Sequence, residues 1–550
     1  MELVSQHVKQ IMEECKVRAR DMGLSFDDES LEYIVTNRDM IELAPKVMIP
    51  TLYDYWVHDV NVLSGKGMYE AYPSNPYETV INTRPAISYY NDNNPDWLNV
   101  MIFYHVLGHI DFFQNNLFYK ETWDIDLTGQ ALADKRLIAQ LRSELGTRWV
   151  DYVIEFARGI DNLVGFQQEL DRSIRKDNRQ LYTRVDFYFD RFLQHMKKVS
   201  HSDYLKEITR YNDCEKRGED FFQVVISKYP EFEERYKKTV RLKGVQDLDV
   251  MEYITKFSPV LRQDENKWMK SVIQVVRNTS LYFQPQIRTK IMNEGWASYW
   301  HEMLFMQDER ISGHETDFAK VNATVTSLPK VGFNPYALGM RLYQHLEEME
   351  NRGCYSLDYF KTHDAVKRKK YNAKKGSGRD YIFKVRKTLD DFSFINTYVD
   401  QEFIDRHKLF VAGKRLNPKR MTWQYYVKSK KAADYKKMIV DALYHPPRIH
   451  VDPEKTKHGI LYLTHTFEGK GLKSDFIENT MVGIEYLWGG PVHLETSEAV
   501  LAPPAEHNAY INFWDPLAGS GSARPDSSKQ VKWKRILYIM ENRKLKKQEV

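Results

Sequence analysis

Cysteine is scarce in this sequence, with only 3 among 550 residues. Cys15, Cys214 and Cys354 are isolated and odd in number, which argues against a disulfide framework and against a cysteine-based zinc site. Any bound metal must therefore be held by His, Asp or Glu side chains.

Long apolar runs are also missing. No stretch approaches the ~20 apolar residues that a membrane-spanning helix needs. The sequence begins MELVS, without the basic and apolar regions of a signal peptide. We therefore expect a cytoplasmic protein with no membrane span.

An excess of one charge sign is absent too. The 80 Lys and Arg residues nearly balance 76 Asp and Glu residues, and the net charge is +4. This balance gives no argument for binding to nucleic acid or to a membrane surface, so we expect no nucleic-acid partner. The basic run at 367–379 is interpreted as a solvated linker, with a phosphate-binding patch as the alternative.

The length predicts more than one packed unit, because single domains usually run to ~100–200 residues. We predict an α+β protein, with a mainly α-helical N-terminal domain and a C-terminal ferredoxin-like α/β sandwich. The predicted segments are a helical domain at 1–365, a basic linker and connecting segment at 366–420, the ferredoxin-like domain at 421–500 and a C-terminal extension at 501–550.

Helical periodicity and helix-start residues predict most of the N-terminal elements. Apolar residues from Val4 to Cys15 recur at helical spacing. Asn94 with Pro95, Pro285, and Asn334 with Pro335 are each expected to start a helix. Residues 25–95 are mixed in character and rich in Tyr, Pro and Asn, and we interpret the short apolar run within them at 80–83 as irregular structure rather than a sheet.

The period changes beyond residue 420. Strand patterns alternate with two helical patterns in the order βαββαβ, which is typical of a ferredoxin-like sandwich. The predicted strands are 422–427, 449–451, 460–466 and 492–494, the helices are 432–443 and 476–487, and a final strand follows at 533–540.

Two histidines with metal-ligand spacing stand in the helix that begins near Asn94. His105 and His109 are four residues apart, so their side chains lie one above the other on one helix face. The spacing leaves two interpretations open, a pair of metal ligands or a pair of hydrogen-bonded core histidines. The pattern is similar to the zinc-peptidase sequence HExxH, but Val106 stands where that sequence has its general-base glutamate.

A second helical stretch carries Glu294 and His301. They are seven positions apart, which separates their Cα atoms by ~10.5 Å along a helix axis, so we do not expect both to bind one ion. We predict Glu294 as the third ligand beside His105 and His109, with zinc as the metal. His301 is assigned to substrate or to the second shell. For His301 and Glu302 a helix-surface pair is the alternative interpretation.

Other polar and aromatic residues near these motifs complete the predicted site. Asp111, Glu302 and His301 are candidate catalytic bases, and Asn115 and Asn116 are candidate substrate-binding residues. Asn is equally common at helix ends. Trp296 is interpreted as part of a cleft wall that contacts substrate or as core.

Four segments together resemble the SpoVR family (stage V sporulation protein R). They occur in one order between about residue 30 and residue 500, and motifs of this length are highly specific. The segments are VINT (80–83), HVLGHIDFFQNN (105–116), KIMNEGWASYWH (290–301) and NPYALG (334–339).

The resemblance implies a cytosolic bacterial protein linked to spore cortex formation. It also implies association with a PrkA-type serine kinase and its von Willebrand-like companion protein. An amide-hydrolysing role on peptidoglycan-type peptides is a reasonable inference from it.

The sequence departs from the expected family pattern at two positions. Tyr55 stands where a histidine is expected before Trp56, and Asn322 stands where a histidine is expected before the NPYALG segment. A fourth ligand or a catalytic histidine is therefore missing from the pattern. His58 and His314 are candidate substitutes.

Two functional hypotheses follow. The first is a zinc hydrolase in which His105, His109 and Glu294 hold the ion. The second is a non-catalytic regulatory or assembly protein in which the same polar residues hold the helical core together. Val106 and the two departures favour the second.

Overall fold

The structure is a computed structural model that describes most of the chain. Three residues discussed for the family pattern lie outside the described residues. They are Tyr55, which departs from the pattern, the adjacent Trp56, and the candidate substitute His58. The described residues are 2–27, 29–36, 78–120, 122, 127–165, 184–197, 199, 201–217, 220–237, 248–329, 331–417, 422–500 and 532–550.

The chain divides into two compact units. The first comprises Met1–Gln140 and Leu281–His445, and the second comprises Leu141–Ser280 and Pro446–Val550. Residues 141–280 thus group with the C-terminal part of the chain, whereas the sequence-based segments placed them in one domain with residues 1–140. The three cysteines are buried, and none forms a disulfide bond within the described part of the chain. No helix in the described part of the chain is long and apolar enough to cross a membrane.

A four-stranded sheet opens the first unit. Its strands are β1 (Glu2–Leu3), β2 (Ser30–Val35), β3 (Glu78–Ile81) and β4 (Ala86–Asn91), in the order β1-β2-β4-β3. The prediction that the run at 80–83 is irregular rather than part of a sheet is wrong for residues 80 and 81, which lie in β3. The parallel pairing of β2 with β4 joins Ser30 to Ala86, and contacts so distant in sequence leave no local pattern.

Helices make up most of the rest of the first unit. Their bounds are α1 (Gln6–Asp21), α2 (Asp96–Asn115), α3 (Leu127–Leu145, ending in the second unit), then after the second unit's helices α10 (Lys290–Phe305), α11 (Glu315–Val325), α12 (Pro335–Asn351), α13 (Leu357–Lys361), α14 (Ala365–Lys369), α15 (Gly378–Thr388), α16 (Asp391–Tyr398), α17 (Gln401–Arg406) and α18 (Ala432–Ala442).

Three of these helices form the centre of the first unit's core. Helix α10 packs against both α2 and α12. Helix α2 is apolar on all sides, and its residues are buried from Val100 to Phe113. A Cβ atom at Gly339 of α12 would lie 2.1 Å from the Ile291 carbonyl oxygen of α10, so only glycine permits this approach. The close packing brings the polar residues of α2 and α10 together inside an apolar core.

The start of α10 differs from the prediction. Pro285 was expected to open this helix, but it lies inside α9 (Lys267–Arg288), and α10 begins at Lys290 after a break at Thr289. The start is set by a distant residue, because the backbone N–H groups of Ile291 and Met292 both donate to the Asp391 carboxylate at 2.8 Å. Such a tertiary cap has no signal in the local sequence.

We expect Asp391→Ala to lower the free energy of unfolding by about 2–3 kcal/mol, because two buried N–H donors would lose their acceptor. The neighbouring Asp390 caps its own helix, α16, where its carboxylate accepts a hydrogen bond from Ser393 N at 2.9 Å. Asp390→Ala is the matched control and should cost about 1 kcal/mol. Urea unfolding of both variants measures the difference, and equal losses would contradict the proposed cap.

The segment predicted as a linker and connecting segment, 366–420, contains helices. Ile382 and Val385 of α15 and Phe394 and Ile395 of α16 belong to the main hydrophobic core. Strand β5 (Val411–Asn417) follows and pairs with β6 (Thr422–Ser429) as a separate two-stranded sheet.

The second unit combines helices with a five-stranded sheet. Its strands are β7 (Ile449–Val451), β8 (Leu461–His465), β9 (Val492–Val500), β10 (Lys532–Glu541) and β11 (Lys544–Glu549). Its helices are α4 (Thr147–Arg158), α5 (Arg184–Asp186) continued by a π-helix (Phe187–Met196), α6 (His201–Arg217), α7 (Phe221–Lys228), α8 (Val250–Phe257), most of α9, and α19 (Ser474–Trp488).

The ferredoxin-like sandwich is not confirmed. Strands and helices occur at the predicted places between 422 and 494, but the sheet order is β11-β10-β9-β8-β7. The first predicted strand pairs with β5 in the other sheet and does not join this one. The sequence predicted the elements from local pattern, whereas the partner of each strand depends on distant residues.

Candidate metal centre

The centre of the site is formed by side chains of α2 and α10. The rings of His105 and His109 lie one helical turn apart with centroids separated by 4.6 Å and planes at 89°. From α10, the Glu294 Oε2 atom lies 3.6 Å from His109 Nε2. One ligand atom from each of the three residues lies within 4.8 Å of the others, so the group could hold a metal ion.

Asn293 orients the His109 ring. The Nδ1 atom of His109 lies 2.9 Å from the Asn293 Oδ1 atom. A carbonyl oxygen can only accept a hydrogen bond, so Nδ1 carries the proton and donates it. In the neutral imidazole the lone pair is then on Nε2, the atom nearest Glu294.

A chain of hydrogen bonds orients the His105 ring in the same way. Asn322 Nδ2 donates to Glu302 Oε2 at 2.9 Å, and Asn322 Oδ1 lies 3.0 Å from His301 Nε2. The Nδ1 atom of His301 lies 2.9 Å from Nδ1 of His105.

The polarity of this chain follows from the carboxylate of Glu302, which is an acceptor. Asn322 therefore presents its oxygen to His301, so His301 carries its proton on Nε2 and accepts through Nδ1. His105 must donate from Nδ1, which leaves the lone pair of His105 on Nε2. Both candidate ligand histidines thus hold their Nδ1 protons through bonds to neighbouring side chains, and a neutral imidazole of this tautomer coordinates a metal through Nε2.

Burial favours the neutral form of His105 and His301 by lowering the pKa of each. It lowers the pKa of His105 well below its usual value, and the neighbouring His109 and His301 lower that pKa further. A hydrogen bond to the Ala297 backbone acts in the opposite direction. Burial also lowers the pKa of His301 to about 4. Neutral imidazole is the form that binds a metal.

Glu294 responds to burial in the opposite sense. Burial raises the pKa of Glu294 to about 7, while a hydrogen bond from Tyr336 and the charge of Lys290 lower it. A buried carboxyl without a bound cation is costly to ionise. Its side chain is 16% exposed. A divalent cation beside it would favour the charged form.

Asn293 and Tyr336 are site residues that the sequence analysis did not identify. Asn293 precedes Glu294 in the family segment, and Tyr336 follows Pro335 at the start of α12. The Tyr336 ring lies parallel to the His105 ring, with centroids 6.2 Å apart. Both residues lie inside segments that resemble the family, and this position was the only sequence signal for a role in the site. The spacing of Asn or Tyr along a helix does not by itself predict a function.

Asp111 lies in a separate network. Its carboxylate accepts from Ser25 N at 2.8 Å, from Trp296 Nε1 at 2.8 Å and from Arg386 Nη2 at 3.3 Å. Burial raises the pKa of Asp111 to about 6, although Arg386 and the other donors lower it. The carboxylate of Asp111, one of the predicted bases, is thus hydrogen-bonded to donors in the core, and one of these donors is the fully buried Trp296.

The two predicted substrate-binding asparagines contact backbone carbonyl groups. Asn115 Nδ2 donates to the carbonyl oxygens of Ser25 and Asp111, both at 2.7 Å. Asn116 Nδ2 donates to Arg386 O at 2.7 Å and to Leu389 O at 3.0 Å. These contacts join α2 to its neighbours, and the structure does not bring Asn115 or Asn116 together with the His105 chain.

The departure at residue 322 falls inside the site. Asn322 occupies the place beside His301 where the family pattern led us to expect a histidine near the NPYALG segment. His314, a proposed substitute, instead stacks on Trp97 with centroids 5.6 Å apart.

The three candidate ligands fit zinc by donor type. Two histidines and a carboxylate, with a fourth position for water, are a common catalytic zinc set. Ligand atoms around a tetrahedral zinc are separated by roughly 3.3 Å, given bonds of about 2.0–2.1 Å. Because the present separations are within 4.8 Å, side-chain shifts of at most about 1.5 Å would close the set.

Comparisons with known proteins agree with these motifs. The chain is 21% identical over 395 residues to an Escherichia coli (strain K12) protein named "Uncharacterized protein YcgB", a match that covers 68% of this chain and 69% of that protein. No solved structure matches. The family described as "SpoVR like protein" matches residues 2–444, which include every residue of the site. The chain therefore belongs to the SpoVR family.

Proposed function

We propose that this protein is a zinc-dependent amide hydrolase that acts on peptidoglycan-type peptides. The observation that carries the proposal is the group of His105, His109 and Glu294, in which one ligand atom from each residue lies within 4.8 Å of the others. When bound, zinc would supply a Lewis acid and lower the pKa of a bound water to about 7.

The protein's own residues would orient the metal ligands. Asn293 holds His109, and His301 with Asn322 and Glu302 holds His105. The hydroxyl of Tyr336 donates to Glu294. We assign His301 and Glu302 to positioning, because both nitrogens of His301 are in hydrogen bonds and Glu302 accepts from Asn322.

The biological setting in this proposal comes from family membership. We propose a role in sporulation and spore cortex formation. We further propose association with a PrkA-type serine kinase and its von Willebrand-like companion. The chemistry would then be peptide-bond or amide hydrolysis in wall precursors or fragments.

A non-catalytic regulatory or assembly protein is the second candidate. It is favoured by the direct His105–His301 hydrogen bond, because a continuous chain of hydrogen bonds from Glu302 to His105 also holds α2, α10 and α11 together. Val106, in the place of a zinc-peptidase glutamate, points the same way.

One experiment separates the two candidates. Zinc-loaded wild type and a His105→Ala/His109→Ala double variant are incubated with purified peptidoglycan stem peptides, and products are followed by mass spectrometry. The hydrolase proposal expects the wild type to yield fragments whose summed mass exceeds the substrate by one water. The double variant and chelator-treated protein should yield none.

The matched stability control is Glu294→Gln, melted in parallel with chelator-treated wild type. If the polar network around Glu294 is only structural, Glu294→Gln melts well below chelator-treated wild type, and zinc-loaded wild type cleaves no peptide. If Glu294 instead serves as a metal ligand, Glu294→Gln and chelator-treated wild type melt at similar temperatures. Zinc-loaded wild type that leaves every peptide intact would overturn the hydrolase proposal.

A further inference from the structure

The hairpin of β5 (Val411–Asn417) and β6 (Thr422–Ser429) exposes aromatic side chains. Leu416 pairs with Trp423, Lys414 with Tyr425 and Ala412 with Val427 across the strands, so these residues share one face. Trp423 is 53% exposed and Tyr425 is 59% exposed. A two-stranded sheet with such residues in solvent is marginal alone, and a contiguous exposed apolar face indicates a binding surface.

Positive charge is interleaved with the rings. The described hairpin strands and the residues to Lys431 contain five Lys and Arg residues and no Asp or Glu. The Nζ atom of Lys414 lies 4.3 Å from the centroid of the Trp423 ring, and on the other face Arg415 lies 5.6 Å from the Tyr426 ring. None of the five basic side chains makes an ion pair with a described residue. The local charge thus differs sharply from the nearly balanced charge of the whole chain.

We propose that this hairpin binds a single-stranded polynucleotide. This face combines two exposed rings with the Lys414 cation, and a polynucleotide combines flat bases with anionic phosphates. Bases would stack on Trp423 and Tyr425, and a phosphate would contact Lys414 on the same face.

The arrangement of charge favours this partner over a membrane and over an acidic protein. Insertion into a bilayer would bury Lys414, which lies directly opposite Tyr425 in the middle of the aromatic face. An acidic peptide would satisfy the cations but would leave the exposed rings without flat partners. The proposal concerns a surface apart from the metal ligands and does not depend on the proposed hydrolase activity.

The test uses the full-length protein and a fluorescent oligouridylate of about 15 nucleotides, with binding followed by anisotropy at several salt concentrations. We expect the wild type to bind and the affinity to fall as salt rises. Trp423→Ala/Tyr425→Ala should weaken binding at least tenfold, taking ~1–3 kcal/mol for each lost stacking contact. Lys414→Gln should reduce the salt slope by about 0.7, since each phosphate contact contributes ~0.7.

Trp149→Ala is the matched control, because Trp149 is also 53% exposed and lies in the second unit. It should bind the oligonucleotide like the wild type, and every variant should melt at the wild-type temperature. Wild-type protein that fails to bind would overturn the proposal. So would unchanged binding by the Trp423→Ala/Tyr425→Ala variant, equal competition by polyglutamate, or tighter binding to phosphatidylserine vesicles than to the oligonucleotide.

Discussion

His109→Ala is expected to weaken zinc binding by about 100- to 1,000-fold. Protein zinc sites gain ~10–16 kcal/mol from their full ligand sets, so one of three protein ligands accounts for a few kcal/mol. His109 is the ligand candidate whose orientation is most directly fixed, through its bond to Asn293, and its Nε2 atom is nearest Glu294. Equilibrium dialysis against chelator-buffered zinc measures the change.

His314→Ala is the matched control for this variant. The sequence made His314 a candidate substitute ligand, but its ring stacks on Trp97. We therefore expect His314→Ala to bind zinc as tightly as the wild type. If His314→Ala loses zinc and His109→Ala retains it, the assigned ligand set is wrong.

Asn293→Ala adds a graded comparison. Removing the partner that orients a ligand histidine typically weakens metal affinity by about 10- to 100-fold. We expect Asn293→Ala to fall between the wild type and His109→Ala. A purely structural role would lower the melting temperature of metal-free Asn293→Ala and would leave the zinc dissociation constant of the folded protein unchanged.

Sequence pattern could predict the parts of the site that follow from helix geometry. The spacing of His105 and His109 places them on one face of α2, and the helical period around Glu294 places it on a second helix. The distance along α10 also indicates that Glu294 and His301 have different roles. In the structure His301 contacts His105, whereas Glu294 lies beside His109.

The rest depended on contacts between residues distant in sequence. The first turn of α10 is capped by Asp391, which is 100 residues away in the sequence. The sheet that includes part of the run at 80–83 depends on the parallel pairing of Ser30 with Ala86. The C-terminal strands have clear local patterns, but those patterns do not specify a neighbour, so the sheet order could not be derived. Asn322 departs from the expected histidine, and only the structure places its amide between His301 and Glu302.

Asp111→Ala is expected to lower the free energy of unfolding by about 3–5 kcal/mol, because removal of one member of a buried ion pair leaves the other charge uncompensated. The Arg386 guanidinium, the Trp296 indole N–H and the Ser25 backbone N–H would all lose their acceptor. Near-ultraviolet circular dichroism during urea unfolding follows the packing of the aromatic side chains, which include the buried Trp296. Asp317→Ala is the control, because Asp317 is 55% exposed and pairs with Lys320 at the surface, where such pairs contribute ~0–1 kcal/mol.

A double variant, Asp111→Ala with Arg386→Met, tests whether the loss comes from the pair itself. Because an apolar replacement of both partners removes the uncompensated charge, the double variant should be more stable than the sum of the two single losses predicts.

Asp111→Asn addresses the alternative that Asp111 is a catalytic base. If Asp111 holds the core, Asn, which retains an acceptor oxygen but loses the charge, should destabilise the protein while leaving zinc affinity unchanged. Wild-type stability in Asp111→Asn together with lost peptide hydrolysis would instead assign the carboxylate to the chemistry.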